Sequence, residues 1–116
     1  MARILICGSR DFGNIDAIKH VIDNLNDEDV VIHGCAKGAD SIAEFLAMKR
    51  GLKVLGFPAQ WTKYGRRAGS IRNQQMIDEG KPDKVYAFYT DKATSKGTKN
   101  MVKLARKAGI PVWENI

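Results

Sequence analysis

Apolar residues recur along the chain at two alternating spacings. Short runs with the character of buried strands cover Arg3–Cys7, "DVVIHG" from Asp29, "KVLGF" from Lys53, "KVYAF" from Lys84 and "PVWEN" from Pro111. Between them, apolar positions fall three and four apart. Ile15, Ile18, Val21, Ile22 and Leu25 make one helical stripe, and Ile42, Ala43, Leu46 and Ala47 make a second, ended by Gly51 after a basic last turn. Residues 71–79 read as a third helix, closed by "GKPD". Met101, Leu104, Ala105 and Ala108 mark a fourth, with Gly109 past its end and Pro111 beyond. "PAQWTKYGRRAG", from Pro58, reads as an irregular connection.

Five strands alternating with four helices predict an α/β fold, a three-layer sandwich whose five-stranded parallel sheet is covered on both faces. At 116 residues the chain is expected to be a single domain, 1–116. In open sheets of this kind, ligands sit beyond the carboxyl ends of the strands, where the direction of winding reverses. Three connections there are rich in glycine, hydroxyls and cations: "GSRDFG", "GCAKGAD" and "TSKGTKN". A helix N-terminus carries unpaired N–H groups, glycine lets an anion approach the backbone, and Lys or Arg balances its charge. The spacing matches neither a Walker loop nor a full dinucleotide fingerprint.

The candidate phosphate-binding residues are therefore Gly8, Ser9, Arg10, Gly34, Lys37, Gly38, Asp40, Ser95, Lys96, Gly97 and Thr98, with Arg72 and Asn73 from the helix that follows "GRRAGS". Ser9, Ser95 and Thr98 read as phosphate or capping hydroxyls, and Asp40 as a helix cap or a ribose contact. Trp61 and Tyr64, interleaved with Lys63, Arg66 and Arg67, are base-stacking candidates. His20 reads as an exposed helical residue and His33 as a structural one. No catalytic residue is assigned.

The 19 Lys and Arg against 13 Asp and Glu give a net charge of +6, which suits a phosphate-bearing partner. No apolar stretch reaches the length of a membrane span, and the first apolar run is shorter than a secretory core, so a cytoplasmic location is expected. Cys7 and Cys35 lack zinc-site spacing and are too few for a disulfide scaffold, so no metal or cofactor is implied.

In this order, "GSRDF", "HGCAKGAD", "FPAQW", "AGSIRN" and "KGTKNMVKLARKAGIPV" resemble the small YspA-type, cpYpsA-related members of the SLOG superfamily, named after the Smf/DprA recombination mediators and the LOG phosphoribohydrolases. The resemblance implies a Rossmann-like sheet of order 3-2-1-4-5. It also implies a nucleotide or nucleotide-derived ligand, such as an ADP-ribose or NAD derivative, bound across the strand ends by a sensing or sequestering module. Gly8, Ser9 and Arg10 would then face Lys96, Gly97 and Thr98 across the crevice. The catalytic LOG motif P-G-G-x-G-T-x-x-E has Met101 in place of its glutamate here, and Cys35 replaces one of the family's paired glycines.

Two other functions stay open on these residues. One is a nucleotide N-glycosidase or phosphoribohydrolase in which Asp40, Asp11 or Glu44 replaces the missing glutamate. The other is single-stranded nucleic-acid binding through Lys63, Arg66 and Arg67. The resemblance also points to a homodimer or higher homo-oligomer, with residues 71–79 as a candidate shared face.

Overall fold

Strand β1, Arg3–Gly8, is apolar on both sides and lies at the centre of the sheet. Ile4 and Ile6 project to one face, Leu5 and Cys7 to the other, and all four are buried. A strand covered on both faces needs such a continuous apolar run, and each fully buried aliphatic side chain contributes about 1.5–3 kcal/mol. The computed structural model describes residues 1–115. In chain order it continues with α1 (Ile15–Asp23), β2 (Val30–His33), α2 (Ala39–Arg50), β3 (Lys53–Gly56), α3 (Trp61–Tyr64), α4 (Ala68–Gln75), β4 (Lys84–Phe88), α5 (Lys96–Lys107) and β5 (Val112–Glu114). All strand pairs are parallel, in the order β3-β2-β1-β4-β5, as the resemblance implied.

The layers follow from strand alternation. Ile4, Ile6, Val31 and Phe88 pack on Ile18 and Ile22 of α1 and on Ala39, Ala43, Leu46 and Ala47 of α2. On the opposite face, Leu5, Cys7, Ile32, Val85 and Ala87 meet Met76 and Ile77 after α4, and Met101, Val102 and Ala105 of α5. The chain thus leaves β1 toward one face and its neighbour β4 toward the other.

The region between β3 and β4 differs from the sequence reading. The stretch read as irregular contains α3 and a 3-10 turn at Gly65–Arg67, and α4 begins at Ala68 rather than Ile71. The helix expected over 71–79 passes at Met76 into a π turn, Met76–Gly80. Periodicity missed these boundaries because α3 buries nothing and α4 buries only Ala68 and Asn73, which leaves no apolar stripe to read.

Gly8 sits where β1, β4 and α2 come closest. A Cβ on it would lie 2.6 Å from the Ala39 Cβ and closer still to the Phe88 carbonyl oxygen, which accepts the Ser9 N–H at 2.9 Å. Neither neighbour is the movable end of a side chain. Gly8→Ala is therefore expected to lower unfolding free energy by about 1–3 kcal/mol or more, measured by urea denaturation. An unchanged midpoint would show that the strand ends are less tightly packed than described.

Candidate functional site

A cavity of about 650 Å³ opens beyond the carboxyl ends of β1 and β4. A chain of hydroxyl groups closes its base. The Thr90 N–H donates to Ser9 Oγ at 2.9 Å, Ser95 Oγ donates to the Asp91 carbonyl at 2.9 Å, and the two serine oxygens touch. Because the Ser95 proton goes to Asp91, Ser9 must be the donor between them. Both side chains are buried and both protons are committed. This corrects their reading as phosphate or capping hydroxyls, since neither has a proton left for a ligand. Phe12 anchors the β1–α1 loop beside them, its ring 5.4 Å from that of Phe88.

Ser95 therefore precedes α5 without capping it. The first bond of that helix runs from the Lys99 N–H to the Ser95 carbonyl at 3.0 Å, which leaves the N–H groups of Lys96, Gly97 and Thr98 without a protein acceptor among the described residues. All three residues line the cavity. At Gly97 no heavy atom lies within 4 Å of where a Cβ would stand, so glycine there leaves open space rather than relieving a clash. The contrast is α1, where Asn14 Oδ1 accepts the Ala17 N–H at 3.2 Å.

Across the cavity, Asn73 is buried and fully bonded. Its amide nitrogen donates to the Gly97 carbonyl at 3.2 Å and to Asn100 Oδ1 at 2.9 Å, while its oxygen accepts from Arg72 Nε at 2.9 Å. Asn73 thus acts as a strut between α4 and α5 instead of offering its own donors to a ligand, a correction to its place among the binding residues. Arg72 also donates through Nη1 to the Gly34 carbonyl, and its guanidinium fills the space a Gly34 side chain would need. Asp40 Oδ2 accepts the Gly34 N–H at 2.8 Å and the Ala36 N–H at 3.5 Å. Arg72 and Asp40 together fix the β2–α2 loop. Burial pushes the Asp40 carboxyl above its ordinary range, against the opposing pull of Gly34, His33 and Arg72. Burial likewise lowers the Arg72 guanidinium, with Asp40 opposing.

Arg10, Arg66, Arg72 and Lys96 line the cavity against Asp11 and Asp40 alone. None of the four cations forms an ion pair among the described residues. Trp61, half exposed, stands at the rim with the Arg10 guanidinium 6.0 Å from its ring centre. Cys7, Met76 and Met101 supply buried apolar surface, and burial raises the Cys7 thiol well above its ordinary range.

A family model described as the YspA, cpYpsA-related SLOG family matches residues 2–64. The chain belongs to this SLOG family. It is 37% identical to Gene 61 protein of Mycobacterium phage D29 over 97% of this chain and 94% of that protein. Its fold is similar to the solved structure of DNA processing protein A (DprA) from Streptococcus pneumoniae, with a TM-score of 0.77 at 19% identity, over 98% of this chain and 50% of that one. The SLOG chain thus spans half the length of that structure.

Both departures from the SLOG pattern have structural consequences. Met101 is buried in the core beneath the cavity, so no carboxylate occupies that position. Cys35 adopts a left-handed φ of 58°, a conformation that favours the glycine it replaces. Its N–H donates to His33 Nδ1 at 3.0 Å, which makes His33 a support for the loop. Glu44 lies 3.4 Å from His33 Nε2 and lines neither this cavity nor its neighbour, which removes it as a substitute for the missing glutamate.

Gly8, Ser9, Arg10, Asp40, Trp61, Arg72, Asn73, Ser95, Lys96, Gly97 and Thr98 converge on the cavity. Gly34 and Lys37 line a smaller adjoining one, while Gly38 and Tyr64 line neither. Gly38, at φ 76°, is required because the carbonyls of Ser9 and Arg10 fill the space where its side chain would be, and Tyr64 lies beside Lys63 Nζ, 5.0 Å from its ring centre. Sequence reasoning missed the polar lining residues Ser70, Thr94 and Asn100. Asn100 was legible in principle, three residues from Gly97 on the same helix face. Among the described residues, no group of three His, Cys, Asp or Glu side chains could hold a metal ion, and no helix is long and apolar enough to cross a membrane.

The raised carboxyl of Asp40 has a defined linkage sign. The folded state holds this proton more tightly than the unfolded chain does, so the group favours folding most in acid and loses that contribution as pH rises above about 4. Asp40→Asn keeps an acceptor for Gly34 and removes the titration. Relative to the native protein, the variant is expected to gain stability as pH rises from about 4 to neutrality. Urea midpoints across that range test this, and a difference independent of pH would contradict it.

Proposed function

We propose that the protein binds a nucleotide or nucleotide-derived small molecule of the ADP-ribose or NAD kind, as a sensing or sequestering module without turnover. One observation carries the reading: the uncapped N-terminus of α5 opens on a cavity rimmed by four cations that form no ion pair among the described residues. A phosphate accepts from the free N–H groups while Arg10, Arg66, Arg72 and Lys96 balance its charge. Trp61 offers a stacking face for the base. A volume of about 650 Å³ suits a ligand of this size. Two or three charge-assisted contacts of about 1.5–3 kcal/mol each support micromolar affinity after the costs of association.

Turnover of the N-glycosidase type has little to work with. Met101 stands at the glutamate position, Asp40 is committed to the β2–α2 loop, and Glu44 is outside the cavity. Asp11 remains as an exposed carboxylate at the rim, without a neighbour to organise it in the manner of a catalytic pair.

Adjacent arginines separate a pocket from a nucleic-acid surface, since Arg66 lines the cavity and Arg67 does not. In calorimetric titration with adenosine 5′-monophosphate, Arg66→Ala is expected to weaken binding about five- to tenfold and Arg67→Ala less than about twofold. Gly97→Val should abolish binding while shifting Tm by less than about 5 °C, because the added side chain starts in open space at the cavity. Equal effects of the two arginine variants, or unimpaired binding by Gly97→Val, would overturn this placement of the ligand.

A further inference from the structure

The second cavity, about 350 Å³, adjoins the first, and the two share Arg10, Ala36, Trp61 and Arg72 as lining residues. Its charge is more one-sided than that of its neighbour. Arg10, Lys37 and Arg72 line it, no carboxylate does, and none of the three cations forms an ion pair among the described residues. Gly34, Cys35, Ala36, Pro58, Ala59 and Trp61 complete the wall, and none of their side chains carries a negative charge that would compete with an anion. Unpaired cations held this close repel one another, and an anion among them removes the repulsion.

The cavities differ in what they can hold. The larger has the free N–H groups of α5, the buried apolar side chains of Met76 and Met101, and the volume for a nucleoside. The smaller has charge without comparable room, and its exposed Lys37 is absent from the larger. Arg10 and Arg72 line both, so they can serve charge on either side of the seam.

From this juxtaposition we infer that the ligand carries a second phosphate beyond the one at α5, held in the smaller cavity by Lys37 with Arg10 and Arg72 at the seam. The class is a nucleotide with two phosphate groups, joined either as a pyrophosphate or across a sugar. The inference rests on the nucleotide-binding reading of the larger cavity and adds to it the place of the second phosphate, the smaller cavity, and the side chain that holds it, Lys37. A mononucleotide fills one cavity; the matching ligand bridges two.

The experiment compares adenosine 5′-monophosphate, ADP-ribose and the 5′-phosphorylated dinucleotide pApA by calorimetric titration against the native protein, Lys37→Ala and Lys103→Ala. Lys103 is exposed on α5 away from both cavities and controls for loss of a positive charge. At least one two-phosphate ligand is expected to bind the native protein on the order of tenfold more tightly than the monophosphate. Lys37→Ala should erase that gain while leaving monophosphate affinity within about twofold, and Lys103→Ala should leave all three unchanged. Gain with ADP-ribose alone identifies a pyrophosphate bridge, and gain with pApA alone identifies phosphates separated by a sugar.

Equal affinity for all three ligands, or a gain that survives Lys37→Ala, overturns the two-cavity assignment and leaves the larger site standing. Failure of every ligand to bind overturns the reading of the larger cavity, and this inference with it. Affinity that keeps rising from pApA to a long oligoadenylate also overturns it, because two cavities set a limit that a polymer track lacks.

Discussion

Where neighbouring parallel strands send their following helices to opposite faces of the sheet, the loops that leave their carboxyl ends must diverge, and this constraint creates the crevice beyond β1 and β4. The other features of the site occupy that opening. The strands are drawn together as far as Gly8 permits, with α2 pressed against them at Ala39. Just beyond, the buried hydroxyls of Ser9 and Ser95 join the two diverging loops, so the cavity has a fixed base. A serine that would commonly cap α5 is turned away from it, and the helix N–H groups are left to the cavity.

The same side chains hold the site together and give it its charge. Arg72 supports the Gly34 carbonyl, orients Asn73 and presents its remaining charge to both cavities. Asp40 holds the loop N–H groups from the other side at the cost of burying a carboxylate. Cations without an ion pair among the described residues and an uncapped helix each disfavour the empty state, and one bound anion offsets the repulsion among the cations and satisfies the free N–H groups. Stability and binding are therefore coupled here, and a ligand that binds only the folded state would raise Tm with the logarithm of its concentration once that exceeds Kd.

The sheet and its order were legible because each strand is a separate apolar run and each principal crossover helix carries an apolar stripe. The resemblance of the ordered loops then supplied the strand order that periodicity lacks. Illegible parts had two physical causes. Helix α3 and the start of α4 bury almost nothing, so they leave no hydrophobic signal. The roles of Ser9, Ser95, Asn73 and Gly38 depend on partners far away in sequence: Ser9 meets Ser95, Asn73 meets Gly97, and Gly38 lies under the carbonyls of Ser9 and Arg10. Residue type and position showed that these residues belong near the crevice. Only the three-dimensional arrangement separates those that build it from those free to touch a ligand, and Gly97 is the clearest of the latter.

The central claim is that the backbone N–H groups opening α5 meet an anion. Amide chemical shifts of isotopically labelled protein, followed during titration with adenosine 5′-monophosphate, report on it residue by residue. The account predicts that Lys96, Gly97 and Thr98 shift most, with smaller changes in the loops after β1 and β2. It would be contradicted if those three amides stayed in place while the ligand saturated signals elsewhere on the molecule.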